Sequence, residues 1–192
     1  MARLPYLPSD ALDPDDPDLA ARPINLFRIL AHSPGALRAW KNMGDWIREG
    51  TSIDPRLREL AILEVAVAAG SRYVFSHHVE IGRRFMVTAA DAALVATWPD
   101  PASQPCTDQE NAVLSAARQL STGGAIDAGT WQMLSSFFTP AQRIDLLMTI
   151  GYYTMVTRCG TALELDVEPE YRQFLPPQAD RWEPARPGDF CS

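Results

Sequence analysis

The sequence predicts an all-α domain, and three observations carry that prediction. Apolar residues recur at helical spacing, polar capping signals such as Asp54-Pro55, Thr107-Asp108-Gln109-Glu110 and Thr139-Pro140-Ala141-Gln142 precede them, and no stretch alternates with the two-residue period of a strand. At 192 residues, 46% hydrophobic and 21% charged, the chain suits one compact domain that buries its core without disulfides. Cys106, Cys159 and Cys191, odd in number and irregularly spaced, agree with that reading.

Taken in order, residues 1–23 are rich in Pro and Asp and are expected to form an irregular arm that packs against a neighbouring subunit. Residues 24–168 are expected to form the helical domain. A short helix spans Ile24 to His32 and stops at Ser33-Pro34-Gly35; a second runs from Pro34 to Arg48, with Leu37, Trp40, Met43 and Ile47 on one face. Trp40 and Trp46 read as core side chains, and His32 as a residue at a helix end. Asp54 is an N-cap, Pro55 takes the first helical position, and Gly70 ends a helix that is apolar almost all round. Ser71 caps the next helix. Thr88 opens one from Ala89 to Trp98, and the Thr107 capping box opens one that ends at Gly123-Gly124. Further helices cover Ala128–Phe138 and Thr139 to about Gly160. Residues 169–192, with Pro169, Pro176, Pro177, Pro184 and Pro187, read as a tail that wraps a partner subunit or stays mobile.

The stretch from Asp54 to Phe85 holds two of the three histidines. At about 100° per residue, Glu59 shares its face with Ile62, Leu63 and Ala66, while Glu64 lies among Leu57, Leu60, Ala61 and Ala68, so at least one carboxylate is desolvated. The same arithmetic stacks Val74, His78, Ile81 and Phe85 on one stripe. His77 falls on another with Tyr73, Glu80 and Arg84, so His78 is expected inward and His77 toward a polar face. A buried carboxylate beside an imidazole makes an acid–base unit, because the carboxylate fixes the tautomer and orientation of the ring. Periodicity alone favours a core histidine with a structural partner.

Several function classes are excluded by composition and spacing. A net charge of −7 without a basic cluster disfavours nucleic acid and anionic membrane surfaces as partners. The opening MARLPYLP has no signal-peptide core, and the longest apolar run, Leu146 to Thr157, is too short to span a bilayer, so a cytoplasmic location is expected. Adjacent histidines diverge on a helix, no C-x-x-C supplements them, and no glycine-rich phosphate cradle or G-x-S-x-G occurs; no metal or other cofactor is expected. Arg56, Arg58, Arg72, Arg83 and Arg84 bracket the histidine motif, either as solvated helix ends or as a draw for a carboxylated substrate.

The run Arg58-Glu59-Leu60-Ala61-Ile62-Leu63, followed by Gly70-Ser71-Arg72-Tyr73-Val74-Phe75-Ser76-His77-His78, resembles the core motif of the carboxymuconolactone decarboxylase and alkylhydroperoxidase D-like family, in which an R-E-L-x-I-L helix precedes G-x-x-Y-E-W-x-x-H. The similarity extends from about Ile24 to Glu168 and implies an alkylhydroperoxidase D-like helical bundle. The peroxidase branch of that family carries a glutamate nineteen residues before the histidine and cysteines seven and four residues before it. Here those places hold Glu59, Ser71 and Val74. Carboxylate and imidazole match while both thiols are missing, and neither Ser nor Val replaces a thiolate, which points away from thiol peroxidase chemistry.

The resemblance therefore implies a cofactor-free acid–base enzyme of the carboxymuconolactone decarboxylase type, acting on a small carboxylated lactone or unsaturated acid. His78 would move the proton and Glu59 orient it. Tyr73 or His77 would donate a hydrogen bond to the developing enolate, and Arg56 or Arg72 would bind a carboxylate. Both Asp54-Pro55-x-x-Arg58 and Thr139-Pro140-x-x-Arg143 open long helices, and packing of the two as counterparts brings Tyr152 or Tyr153 near His78. Double-bond isomerisation and lactone opening begin with the same proton transfer, and a non-catalytic binding or assembly subunit is the alternative of another class. The family also implies a homo-oligomer, a trimer or hexamer.

Overall fold

A computed structural model describes residues 2–12, 19, 21–100 and 106–182. Asp13 to Asp18 of the acidic arm, Pro101 and Pro105, and Pro184, Pro187 and Cys191 of the tail lie outside the described residues.

The helices are α1 (Asn25–Leu30), α2 (Pro34–Asp45), α3 (Pro55–Ala68), α4 (Arg72–Gly82), α5 (Ala89–Thr97), α6 (Asp108–Gly123), α7 (Ala128–Phe137) and α8 (Pro140–Ala162), with no strand among the described residues. The architecture is all-α, as the periodicity predicts. At its centre is α3, where every residue from Leu57 to Ala66 is buried and which packs against α4, α5, α6 and α8. Such a helix has no solvent face, so its polar side chains must find partners inside.

The start and stop signals act as their chemistry requires. Asp54 accepts from the backbone N–H groups of Arg56 and Leu57, and Thr88, Thr107 and Thr139 each close a reciprocal capping box with Asp91, Glu110 and Gln142. Between α3 and α4, Gly70 adopts φ 63°, the Ser71 N–H reaches back to the Ala66 carbonyl at 2.7 Å, and the Ser71 hydroxyl caps α4 by accepting from Val74. The chain reverses within three residues. Glu59 lies about 16 Å before that turn along α3 and His78 about 12 Å after it along α4, at the 1.5 Å rise of a helix, so the reversal sets the two side by side.

Four departures from the expected elements bear on the site. The first helix is confined to Asn25–Leu30. The second stops at Asp45 and gives way to a π-helical turn, Trp46–Gly50, whose Ile47 and Arg48 carbonyls receive Arg58 Nη1 at 3.3 and 2.9 Å. The segment expected as a tail turns back on its own chain instead: 3-10 turns at Pro169–Phe174 and Pro177–Arg181 lead to Trp182, which packs edge-on against Phe75 of α4 at 5.0 Å. The N-terminal segment likewise packs on its own chain. Leu12 and Leu19 join Ala31 and Leu37 in a small second core, and Arg3 N–H bonds the Leu163 carbonyl. Among the described residues no helix is long and apolar enough to cross a membrane.

Candidate functional site

Glu59 is 1% exposed and both of its oxygens are engaged. Oε2 lies 2.8 Å from His78 Nδ1, and Oε1 accepts from Arg58 Nε and Nη2 at 3.2 and 3.1 Å. Arg58 is itself 1% exposed, fixed by the π-turn carbonyls and covered by the Phe85 ring, 4.8 Å from the guanidinium carbon. A guanidinium beside a carboxylate holds the charge in place, so the carboxylate accepts and His78 Nδ1–H donates. Nε2 is then the working nitrogen, and among the described residues it has no hydrogen-bond partner. Tyr153 of α8 meets the His78 ring edge-on at 4.7 Å.

His77 is not on a polar face. It is 4% exposed, lies between the rings of Tyr73 (4.4 Å) and Tyr171 (3.7 Å), and places Nε2 2.9 Å from Glu168 Oε2. The returning segment supplies both Glu168 and Tyr171, and so covers the face that helical spacing assigns to solvent. Glu168 Oε1 also accepts from Asn25 N–H and from the Tyr73 hydroxyl. Burial lowers the His77 pKa against the pull of Glu168, which keeps the ring neutral. At Glu168 burial pushes upward, but hydrogen bonds from His77 and the Asn25 backbone outweigh it and keep the group ionised.

Both imidazoles line one cavity of about 420 Å³. Its walls are largely apolar, with Ile24, Leu26, Phe27, Val74, Ile81 and Val156 among them, and its lining includes four basic side chains (Arg22, Lys41, Arg48, Arg84) and two acidic ones (Asp45, Glu49). That size and lining suit a small molecule with an anionic end. Of the sequence-derived candidates, the fold brings Glu59 to His78 and sets His77, His78, Tyr73 and Tyr152 around the cavity; Trp40, read as core, lines it too. Arg56 and Arg72 do not reach the cavity. Arg56 is spent on Asp91 and Glu110, both at 2.6 Å, and Arg72 pairs with Asp180 at the surface.

Spacing alone passes over Arg58 as a buried anchor, although it sits four and seven residues before Ile62 and Val65 on an apolar stripe. Glu168 lies 91 residues from His77, with no local pattern linking them. Among the described residues no three His, Cys, Asp or Glu side chains are grouped to hold a metal ion, and neither Cys106 nor Cys159 lines the cavity.

Residues 34–119 match the model of the carboxymuconolactone decarboxylase family. That stretch, α2 through most of α6, is similar to the family. The surrounding fold is shared with an alkylhydroperoxidase AhpD core, an uncharacterised peroxidase-related protein from Ralstonia eutropha JMP134, at 20% identity and TM-score 0.75 over 88% of this chain and 94% of that one. A peroxidase-related protein from Silicibacter sp. TM1040 superposes with TM-score 0.70 at 17% identity, over 88% of this chain and 95% of that one. The debrominase Bmp8, as a cysteine-to-alanine variant in complex with 2,3,4-tribromopyrrole, matches with TM-score 0.74 at 20% identity over 95% of this chain and all of that one. Among curated proteins none matches the sequence. Within the matched stretch the two positions compared above with the thiols of the peroxidase branch hold Ser71, spent on the α4 cap, and Val74, a cavity wall.

Proposed function

We propose that the protein is a cofactor-free acid–base enzyme of the carboxymuconolactone decarboxylase type, acting on a small carboxylated lactone or unsaturated acid. The observation that carries this reading is the Arg58–Glu59–His78 relay, with its outer imidazole nitrogen unpartnered among the described residues at a largely apolar cavity. In the decarboxylation the bond between carbon and carboxylate breaks, CO2 leaves, and the electron pair is delocalised into the substrate's conjugated carbonyl. The protonated His78 then delivers its Nε2 proton to carbon. Apolar walls favour loss of the carboxylate charge, and a second carboxylate would exchange with Asp45 or Glu80 for the basic side chains of the lining, Lys41 and Arg48 pairing with the first and Arg22 and Arg84 with the second. Neutral His77 serves as a polar wall.

The test incubates the wild type and His78→Ala with carboxylated lactones and unsaturated diacids, without added metal or thiol, and reads products by mass spectrometry. Loss of CO2 is expected from the wild type, slowed about 10²- to 10⁴-fold in the variant. A product of unchanged mass would redirect the assignment to isomerisation and a gain of water to lactone opening. No turnover by folded wild type would favour a binding or assembly subunit.

A further inference from the structure

The chain has five tyrosines, and four commit their hydroxyls to the protein. Tyr6 bonds Asp166, Tyr73 bonds Glu168 and the Leu26 N–H, Tyr152 donates to the Trp40 carbonyl at 2.9 Å, and Tyr171 accepts from Arg22 at 3.0 Å. Tyr153 is the exception. It is 5% exposed, its ring is fixed edge-on against His78 and Tyr152, and its hydroxyl has no partner among the described residues. Nor is that hydroxyl sealed in: the side-chain polar atoms both shut off from solvent and unpartnered among the described residues are Glu64 Oε2 and Arg143 Nε. Tyr153 lines the cavity, so its hydroxyl opens on the space beside His78.

A hydroxyl without a protein partner adds nothing to the fold, and a phenylalanine would fill the same space. Resting on the acid–base reading above, we infer that Tyr153 is a catalytic residue: its hydroxyl donates a hydrogen bond to the substrate oxygen that gains negative charge while His78 exchanges a proton with the adjacent carbon. Three features of the surroundings fit that duty. Burial, reinforced by the nearby Glu59 charge, pushes the Tyr153 phenol well above its ordinary value, so it remains a donor and does not compete as an acid. Contact with the His78 ring puts donor and proton carrier on one wall, as a carbonyl and its neighbouring carbon require. The Arg48 guanidinium, a further part of that lining and paired there with Asp45, keeps a basic group on the same cavity. Sequence reasoning assigns the enolate to Tyr73 or His77, but Glu168 already occupies both.

The experiment needs no known substrate. 4-Hydroxy-3-nitrobenzoate, at a pH where its phenol is ionised, presents a coloured phenolate oxygen opposite a carboxylate and stands in for the enolate; 3-nitrobenzoate lacks that oxygen. Both are titrated into the wild type and Tyr153→Phe, with thermal unfolding followed in parallel. The phenolate is expected to bind about 10- to 100-fold more weakly to the variant, the range of a hydrogen bond to a charged oxygen, whereas 3-nitrobenzoate binds both alike and the melting temperature holds or rises. Equal phenolate affinity in the two proteins, absence of phenolate binding by the wild type, or a lowered melting temperature would each overturn the assignment. The phenolate comparison is independent of turnover, so a failed lactone screen with intact phenolate discrimination would reject the decarboxylase reading and keep Tyr153 as an oxyanion donor. A screen in which Tyr153→Phe matches the wild-type rate would do the reverse.

Discussion

Glu59 and Glu64 lie five residues apart on α3, both shut away from water, and their oxygens meet different fates. Glu59 has partners on both oxygens. Glu64 has one: Oε1 accepts from Arg118 Nε at 2.6 Å while Oε2 is bare among the described residues. Burial therefore outweighs the Arg118 charge and pushes the Glu64 carboxyl up to about 8. A folded-state value above the unfolded one means that Glu64 contributes its full stability below about pH 4.5 and loses it as the pH rises through about 8. His77 works in the opposite direction below neutrality, since its lowered value makes protonation of the folded state costly. The clean observable is therefore the difference between wild type and Glu64→Gln. Urea unfolding is expected to show the wild type losing a few kcal/mol more than the variant between pH 5.5 and 8.5, and parallel pH profiles would refute the burial argument. Helical spacing put at least one of the two acids out of solvent, and the fold buries both. Spacing could not rank them, because the ranking depends on Arg58 and Arg118, and Arg118 is 54 residues away from the carboxylate it meets.

Arg56 shows how an element-level device can resemble a site from sequence. It stands in the first turn of α3, and its guanidinium bridges Asp91 and Glu110, the third residues of the α5 and α6 capping boxes. Each acid uses one oxygen for its own cap and the other for Arg56, so one side chain ties three helix N-termini together. Burial would raise both carboxyls, but the Thr88 and Thr107 backbone N–H groups and Arg56 together hold them below their ordinary values. Arg56→Met is expected to lower stability by roughly 1–3 kcal/mol at pH 7, with the deficit shrinking as the pH falls through the depressed carboxyl values, and to leave binding in the His78 cavity unchanged. Weakened probe binding with unaltered stability would return Arg56 to the substrate. The caps themselves were readable, since their chemistry is local. The π-helical turn was not: its carbonyls receive Arg58, a residue that lies beyond it in the chain and whose guanidinium is covered by the Phe85 ring.

At the scale of the whole molecule, the described parts of the two proline-rich ends pack on the helices, and no periodicity could have revealed it. Extended backbone and 3-10 turns have no helical stripe, so the sequence leaves their packing open, whereas the fold uses Glu168, Tyr171 and Trp182 to cover α4. The covering segment acts on His77 in two opposed ways: it removes water, which lowers the imidazole pKa, and it supplies the Glu168 carboxylate, which raises it, with burial the larger. Two variants separate these influences by sign. Glu168→Gln keeps the cover and removes the charge, so the His77 pKa is expected to fall further. Ending the chain after Asp166 removes both, so it is expected to rise toward the ordinary histidine value, while the loss of Trp182 from the Phe75 face lowers the melting temperature by roughly 10 °C. Histidine ring resonances followed by NMR across pH 4–8 read both. A fall in the truncated chain would mean that the carboxylate, not the exclusion of water, governs the second histidine, and His77 would then enter the chemistry as a charged group and no longer as a neutral wall.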